Sequence, residues 1–299
     1  MVGWSLVIAF YVAIVGLLLY RAFRPQRRPE VIEWAVGHGL RTTDLDWDQA
    51  SRYLYRSRCL RTVGFIIPLL AGGTTSIVWA LVYTQPSPPF PFDLLGQPSW
   101  LVGYLLGAVL AEVTWTRPRT QKAAALVPRR VADYIGRPTL ILIRVVGLAT
   151  IAVGVIGHWF LAGHIRAGLG FGPAPSVTAA AVLVTMEASL WFIVHRRQPV
   201  GSESQMMLDD ALRSTTIHRM TGAGLGMMFL FLGYELFSIG GGIEGQVLRV
   251  ILPWAGMACV FVCAPLSWRR VGHPRLWLVR RHTSSEAGPR TDTADRTAT

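Results

Sequence analysis

Lysine is all but missing from this sequence. Lys122 is the single lysine among 29 basic residues, and the rest are arginine. Charge of either sign is scarce: Asp, Glu, Lys and Arg make up 15% of residues, against roughly 25% in soluble domains. Cysteine is scarce as well. Cys59, Cys259 and Cys263 form no recognisable disulfide framework. The chain contains no Walker A loop, no H-E-x-x-H pair and no G-x-S-x-G elbow. Nucleotide hydrolysis by a P-loop, helix-borne zinc proteolysis and the usual serine-hydrolase arrangement therefore have no sequence support. The histidines offer no bis-histidine haem pattern either, because His158 and His164 are six apart and fall on different helical faces.

What the chain does have is long apolar runs. Hydrophobic residues make up 52% of it, and the charges lie mostly between the runs, which is the pattern of a membrane protein. The expected fold is an all-α integral membrane protein with a single multi-pass domain over residues 1–282 and a polar, disordered tail over 283–299. Seven spans are expected, at about residues 3–20, 62–83, 100–115, 138–161, 177–194, 220–239 and 248–268. The first is not read as a secretory leader, because no basic residue precedes it and no small-x-small site follows it. Between spans one and two, a helix is expected at about 43–60, either interfacial under the lipid head groups or a soluble amphipathic helix packed on other loops. Thr43 would cap it, and Trp47, Ala50 and Leu54 would lie on its apolar side.

Arginine distribution sets the orientation. With seven spans, 26 of the 29 basic residues fall on one side. That side is the cytoplasm, which places the N-terminus outside and the C-terminus inside. The formal charge of +12 is thereby read as topology, and nucleic acid is not expected as a partner. Anionic lipid at the basic cytoplasmic face is expected, and so is a membrane or ATPase partner subunit. All three cysteines fall toward the cytoplasm, where thiols stay reduced.

Pairs of spans one–two, three–four and five–six also rhyme. Each returning span is preceded by an acidic stretch: Asp48 to Arg52, Val131 to Tyr134, and Leu208 to Arg213. The chain would then be three helical hairpins plus one helix. Phrases such as GYLLGAVLAE and DDALRSTTIHR, with the preference for arginine over lysine, resemble multi-pass membrane proteins of high-GC actinobacteria. That resemblance carries no activity with it, and it places the chain in a bacterial plasma membrane.

Ionisable groups inside a bilayer are costly and face the bundle interior or a functional cavity. The candidates are Glu112, Arg144, Glu187 and Glu235. Spans three and four share one loop, so Glu112 and Arg144 are expected to meet, as a structural ion pair or as an intramembrane polar site that Glu187 joins. Glu235 is expected nearer the outer side and separate. Gly103, Gly107 and Ala111 form a ridge of small residues on which another helix can pack closely. Cys259 and Cys263 share a face, but as small apolar fillers rather than metal ligands. No cofactor or metal is expected, and catalytic residues are unknown. The leading expectation is a permease-like or accessory subunit of a transport or envelope complex, and enzyme activity is not favoured. The alternatives are a membrane enzyme acting on a lipid-linked substrate, with Glu112 or Glu187 as general acid or base, and a structural scaffold.

Overall fold

The computed structural model describes residues 2–41, 43, 46–82, 99–115, 130–157, 174–196, 203–242 and 246–271. The expected outer loops rich in proline and glycine, most of the basic loop after span three, and the polar tail lie outside the described residues. Nine α-helices are described, and no strand occurs among these residues: α1 (Val2–Phe23), α2 (Arg28–Gly37), α3 (Trp47–Val82), α4 (Ser99–Val113), α5 (Arg137–Val155), α6 (Ala174–His195), α7 (Glu203–Gly242), α8 (Gln246–Ala258) and α9 (Ala264–Val271). A 3₁₀ turn at Val131–Asp133 precedes α5, and a π turn at Cys259–Cys263 joins α8 to α9.

Four helical stretches are long and apolar enough to cross a membrane: Arg137–Val155, Pro175–His195, Ser204–Gly240 and Val247–Val271. Val12–Phe23 and Val102–Val113 are shorter apolar helices. The outward faces carry large apolar side chains such as Leu17, Ile141, Leu148, Val184, Trp254 and Phe261. In water such a surface would aggregate; in lipid it is solvated.

α3 and α7 are the longest helices, at 36 and 40 residues. At 1.5 Å per residue each runs to roughly 54–60 Å, well beyond a hydrocarbon layer of about 30 Å. Their first halves, richer in charge, form a second packing region together with α2. There Ala50, Tyr53 and Leu54 of α3 are buried with Leu208 and Leu212 of α7 and with Val31 and Ala35 of α2. The expected break near residue 61 is absent, because the stretch expected as a separate interfacial helix continues into the apolar half of α3. The cap also differs. Asp46, not Thr43, accepts the Gln49 N–H, at 2.9 Å, as an N-cap residue does for the first turn.

α2 ends in a Schellman turn. Gly39 adopts φ 70°, and the N–H groups of Gly39 and Leu40 donate to the carbonyls of Val36 and Ala35, each at 3.0 Å. Only glycine adopts that φ without strain. The turn leaves His38 at the helix cap, pointing into the α2–α3–α7 packing.

α7 is the axis of the bundle. Its middle is buried on nearly every side, with Met220, Ala223, Met228 and Phe231 meeting Val182, Met186 and Leu190 of α6, Ile143 and Val146 of α5, and Leu105 and Ala108 of α4. A helix enclosed all round needs no amphipathic stripe. Glycines admit the neighbours. The Met186 side chain occupies the space at Gly224, and the Gly233 and Gly256 backbones touch where α8 lies on α7.

The predicted small-residue ridge is real, and its partner is α3. Gly103 abuts the backbone of Gly64, and Gly107 abuts the backbone of Leu60 and Arg61, so a Cβ at any of the three glycines would strike main chain. α4 therefore spends its close-packing face on α3, and its further contacts are with α6 and α7. α5 packs on α6 and α7 instead. The middle pair of predicted spans is thus not packed as the first and third pairs are, and the suggested threefold likeness does not organise the bundle.

Candidate functional site

The buried polar chemistry collects where α3, α4, α6 and α7 meet. Antiparallel packing of α3 on α4 through their glycines sets the register, which brings Tyr53 opposite Glu112. Glu112 is almost fully buried. One carboxylate oxygen accepts hydrogen bonds from the Tyr53 hydroxyl and from Thr216 Oγ1, the latter at 2.8 Å. The other accepts from Arg196, just past α6, at 2.9 Å. Burial, with the Glu112 charge beside it, pushes the Tyr53 phenol well above its ordinary range. It therefore stays a donor at any physiological pH.

Arg196 does more than pair with the carboxylate. It also donates to the carbonyls of Glu112, at 2.6 Å, and Trp115, at 3.0 Å. Those carbonyls lie at the C-terminal end of α4, where backbone acceptors lack intrahelical partners and a cation is favoured. Arg213 of α7 repeats the device one helix along. Its guanidinium donates to Asp209, at 2.9 Å, and to the carbonyls of Ile193 and Arg196, at 3.2 and 2.8 Å. Two arginines thus link three helices in series: α7 holds the end of α6, and α6 holds the end of α4.

Beside this chain of contacts lies a neutral cluster. Trp34 Nε1 donates to Thr215 Oγ1 at 2.9 Å, and the same oxygen lies 3.0 Å from His38 Nε2. His38 Nδ1 faces the Trp34 carbonyl at 2.7 Å and so carries the proton. Burial is the main cause that lowers His38 from 6.5 to about 4; the nearby His218 and Arg219 of α7 add to it, while the Trp34 carbonyl opposes it. A folded-state value below the unfolded one means that the unfolded chain binds the proton first as pH falls. The stabilisation is complete above about pH 6.5 and is lost progressively toward pH 4, about 3 kcal/mol across that window. Hydrogen exchange over residues 28–40 should therefore speed up, after correction for the intrinsic rate, between pH 6.5 and 4.5. His38→Gln should abolish that trend. Protection that stays flat in the native chain would contradict it.

The sequence candidates separate into three places. Glu112 does not meet Arg144. Glu112 lies one residue from the end of α4, whereas Arg144 lies seven residues into α5, about 10 Å along it. Arg144 instead pairs with Glu187 of α6, through Nε to Oε1 at 2.7 Å and an Nη to Oε2 at 2.9 Å. Glu187 is eight residues from the end of α6, so the depths match. That bidentate pair faces outward, with the two side chains 56% and 37% exposed. Glu235 is separate, as expected. It is buried against Gly154 of α5 and accepts the Ser176 hydroxyl at 2.6 Å in the first turn of α6. A carboxylate there meets the positive end of the helix, a structural role.

Among the described residues no group of three or more His, Cys, Asp or Glu side chains could hold a metal ion. Tyr53, Thr216, Arg196, Asp209 and Arg213 carry the buried network and were not among the sequence candidates. Compared with protein families, curated proteins and solved structures, the chain matches none of them.

Proposed function

We propose that the chain is an accessory membrane subunit: seven crossings of a bacterial plasma membrane, N-terminus outside, with a partner's transmembrane helix docked on the outer face of α5 and α6. The observation that carries this reading is the Arg144–Glu187 pair. It stands on an otherwise apolar face, among exposed Ile141, Val145, Leu148, Val184 and Trp191. Lipid tails solvate the apolar neighbours but not the ions, and charges in spanning helices normally point inward. A partner helix carrying small residues and a hydroxyl or amide would cover the pair and hydrogen-bond to it.

The enzyme alternative has less behind it. Glu112, one of its proposed acid–base groups, has both carboxylate oxygens engaged, by Tyr53 and Thr216 on one side and Arg196 on the other.

Purification from the native membrane in an uncharged detergent should yield a second membrane protein in fixed stoichiometry. The variant Arg144→Leu/Glu187→Leu removes both charges together, so it should stay folded and lose that protein. A native chain that purifies alone, or a double variant that keeps the partner, would overturn the proposal.

A further inference from the structure

Three arginines gather where the charged halves of α3 and α7 give way to their apolar halves. Arg58 and Arg61 lie one turn apart on α3, and Arg219 lies on α7 one turn beyond Thr216. Arg61 is 6% exposed, donates through Nε to the Ser57 carbonyl at 2.9 Å, and lies over the Tyr104 ring of α4 at 5.8 Å. Arg58 lies over Tyr55 at 5.9 Å and donates from one terminal nitrogen to the Arg24 carbonyl, while its buried Nε has no hydrogen-bond partner among the described residues. The groups that act electrostatically on Arg219 are Arg61, Arg58, Tyr104 and Tyr53.

No counter-ion for the three is found among the described residues. The ion pairs found among the described residues are Arg24–Glu30, Arg144–Glu187, Arg196–Glu112 and Arg213–Asp209. None of them uses Arg58, Arg61 or Arg219. The carboxylate that Tyr53 contacts, Glu112, is already held by Arg196. His38 and His218, which also lie near Arg219, bring no negative charge. Clustered guanidinium groups with no anion repel one another and are costly to bury.

We propose that Arg58, Arg61 and Arg219, walled by Tyr53 and Tyr104, form a phosphate-binding site between α3, α4 and α7. The guanidinium fork matches phosphate oxygens, and three cations within electrostatic reach of one another on two helices neutralise such a group where one would not. Arg61 immediately precedes the apolar half of α3, and Arg219 immediately precedes that of α7, the level at which lipid phosphates lie. That depth rests on the proposed topology; the grouping of the arginines does not.

The test uses the full chain in an uncharged detergent, with the unfolding midpoint followed by size exclusion after heating. One arm adds inorganic phosphate against chloride at equal ionic strength. The other adds phosphatidylglycerol against an uncharged galactolipid. Protection by the phospholipid alone assigns the site to a lipid headgroup, and protection by inorganic phosphate assigns it to a soluble ligand. In either case Arg61→Gln/Arg219→Gln should weaken the response at least tenfold in ligand concentration, while Arg269→Gln/Arg270→Gln on α9 leaves it unchanged. Without phosphate, each single Gln variant should be as stable as the native chain or more so, because repulsion is relieved; a purely structural role predicts the opposite. Should the double variant fail to fold, Arg58→Gln alone, read by retention of phosphatidylglycerol in native mass spectrometry, should show reduced binding. No protection in either arm, or an undiminished response in these variants, overturns the site.

Discussion

Arg213→Met is expected to cost about 3–5 kcal/mol of folded stability, the range for breaking a buried ion pair from one side. Arg213 is the largest of the fully buried side chains. Its removal strips Asp209 of its ion-pair partner and the carbonyls of Ile193 and Arg196 of a donor. A buried carboxylate loses the guanidinium beside it in a region closed to water. The damage also travels, because Arg196 leaves the end of α6 to hold the end of α4. The companion variant Asp209→Leu/Arg213→Met removes both charges and should recover most of the loss, since a matched apolar pair often replaces a buried ion pair at little cost. Thermal unfolding in detergent of the native chain and the two variants separates the cases. A double variant as damaged as the single one would mean that the carbonyl contacts, and not the Asp209 ion pair, carry the effect.

The helices were legible because hydrophobic runs and arginine clusters mark where a chain enters and leaves lipid, and the Gly103–Gly107 ridge was legible because small residues four apart can serve little else. The choice of partner for that ridge was not. Gly64, which meets it, has Leu60 and Pro68 four positions away on α3 rather than another small residue, and nothing in its spacing says which helix will approach. α2 could have been found: Pro29 opens it and Gly39 closes it, both ordinary boundary signals. The Arg144 pairing could have been found by counting residues from each helix end, since Glu187 matches its depth and Glu112 does not. Arg196 and Arg213 were harder. In the sequence they look like two more cytoplasmic arginines, and only the packed ends of α4 and α6 show that each has open carbonyls to hold. The Tyr53–Glu112 contact spans 59 positions and depends on the glycine register of α3 on α4, which a pattern of single residues does not encode.

Substitutions at Glu112 should fall in a fixed order of severity. Glu112→Ala deletes the acceptor of three donors and leaves Arg196, 16% exposed, as a part-buried cation with only carbonyls, so it should cost about 3 kcal/mol, the low end of the range for breaking a buried pair from one side. Glu112→Gln keeps the shape but not the chemistry. Its amide oxygen can face Tyr53 and Thr216 only by turning its N–H₂ toward Arg196, donor against donor, or the reverse. A cost of about 2 kcal/mol follows from one mismatched buried contact. Tyr53→Phe removes a single hydroxyl and should cost about 1 kcal/mol. The order Ala, Gln, Phe is the test of the network, measured by thermal unfolding of each variant under one condition. A Gln variant as stable as the native chain would show that the carboxylate charge is not needed to hold Arg196. The same variants also bear on the partner face. Arg196 lies nine residues beyond Glu187, which at 100° per residue points it to the opposite side of α6 and about 13 Å along the axis. Glu112→Gln, once folded, should therefore keep the partner protein that Arg144→Leu/Glu187→Leu loses. Loss of the partner in both would make the buried network and the outward pair one device, with α6 as the rod that joins them.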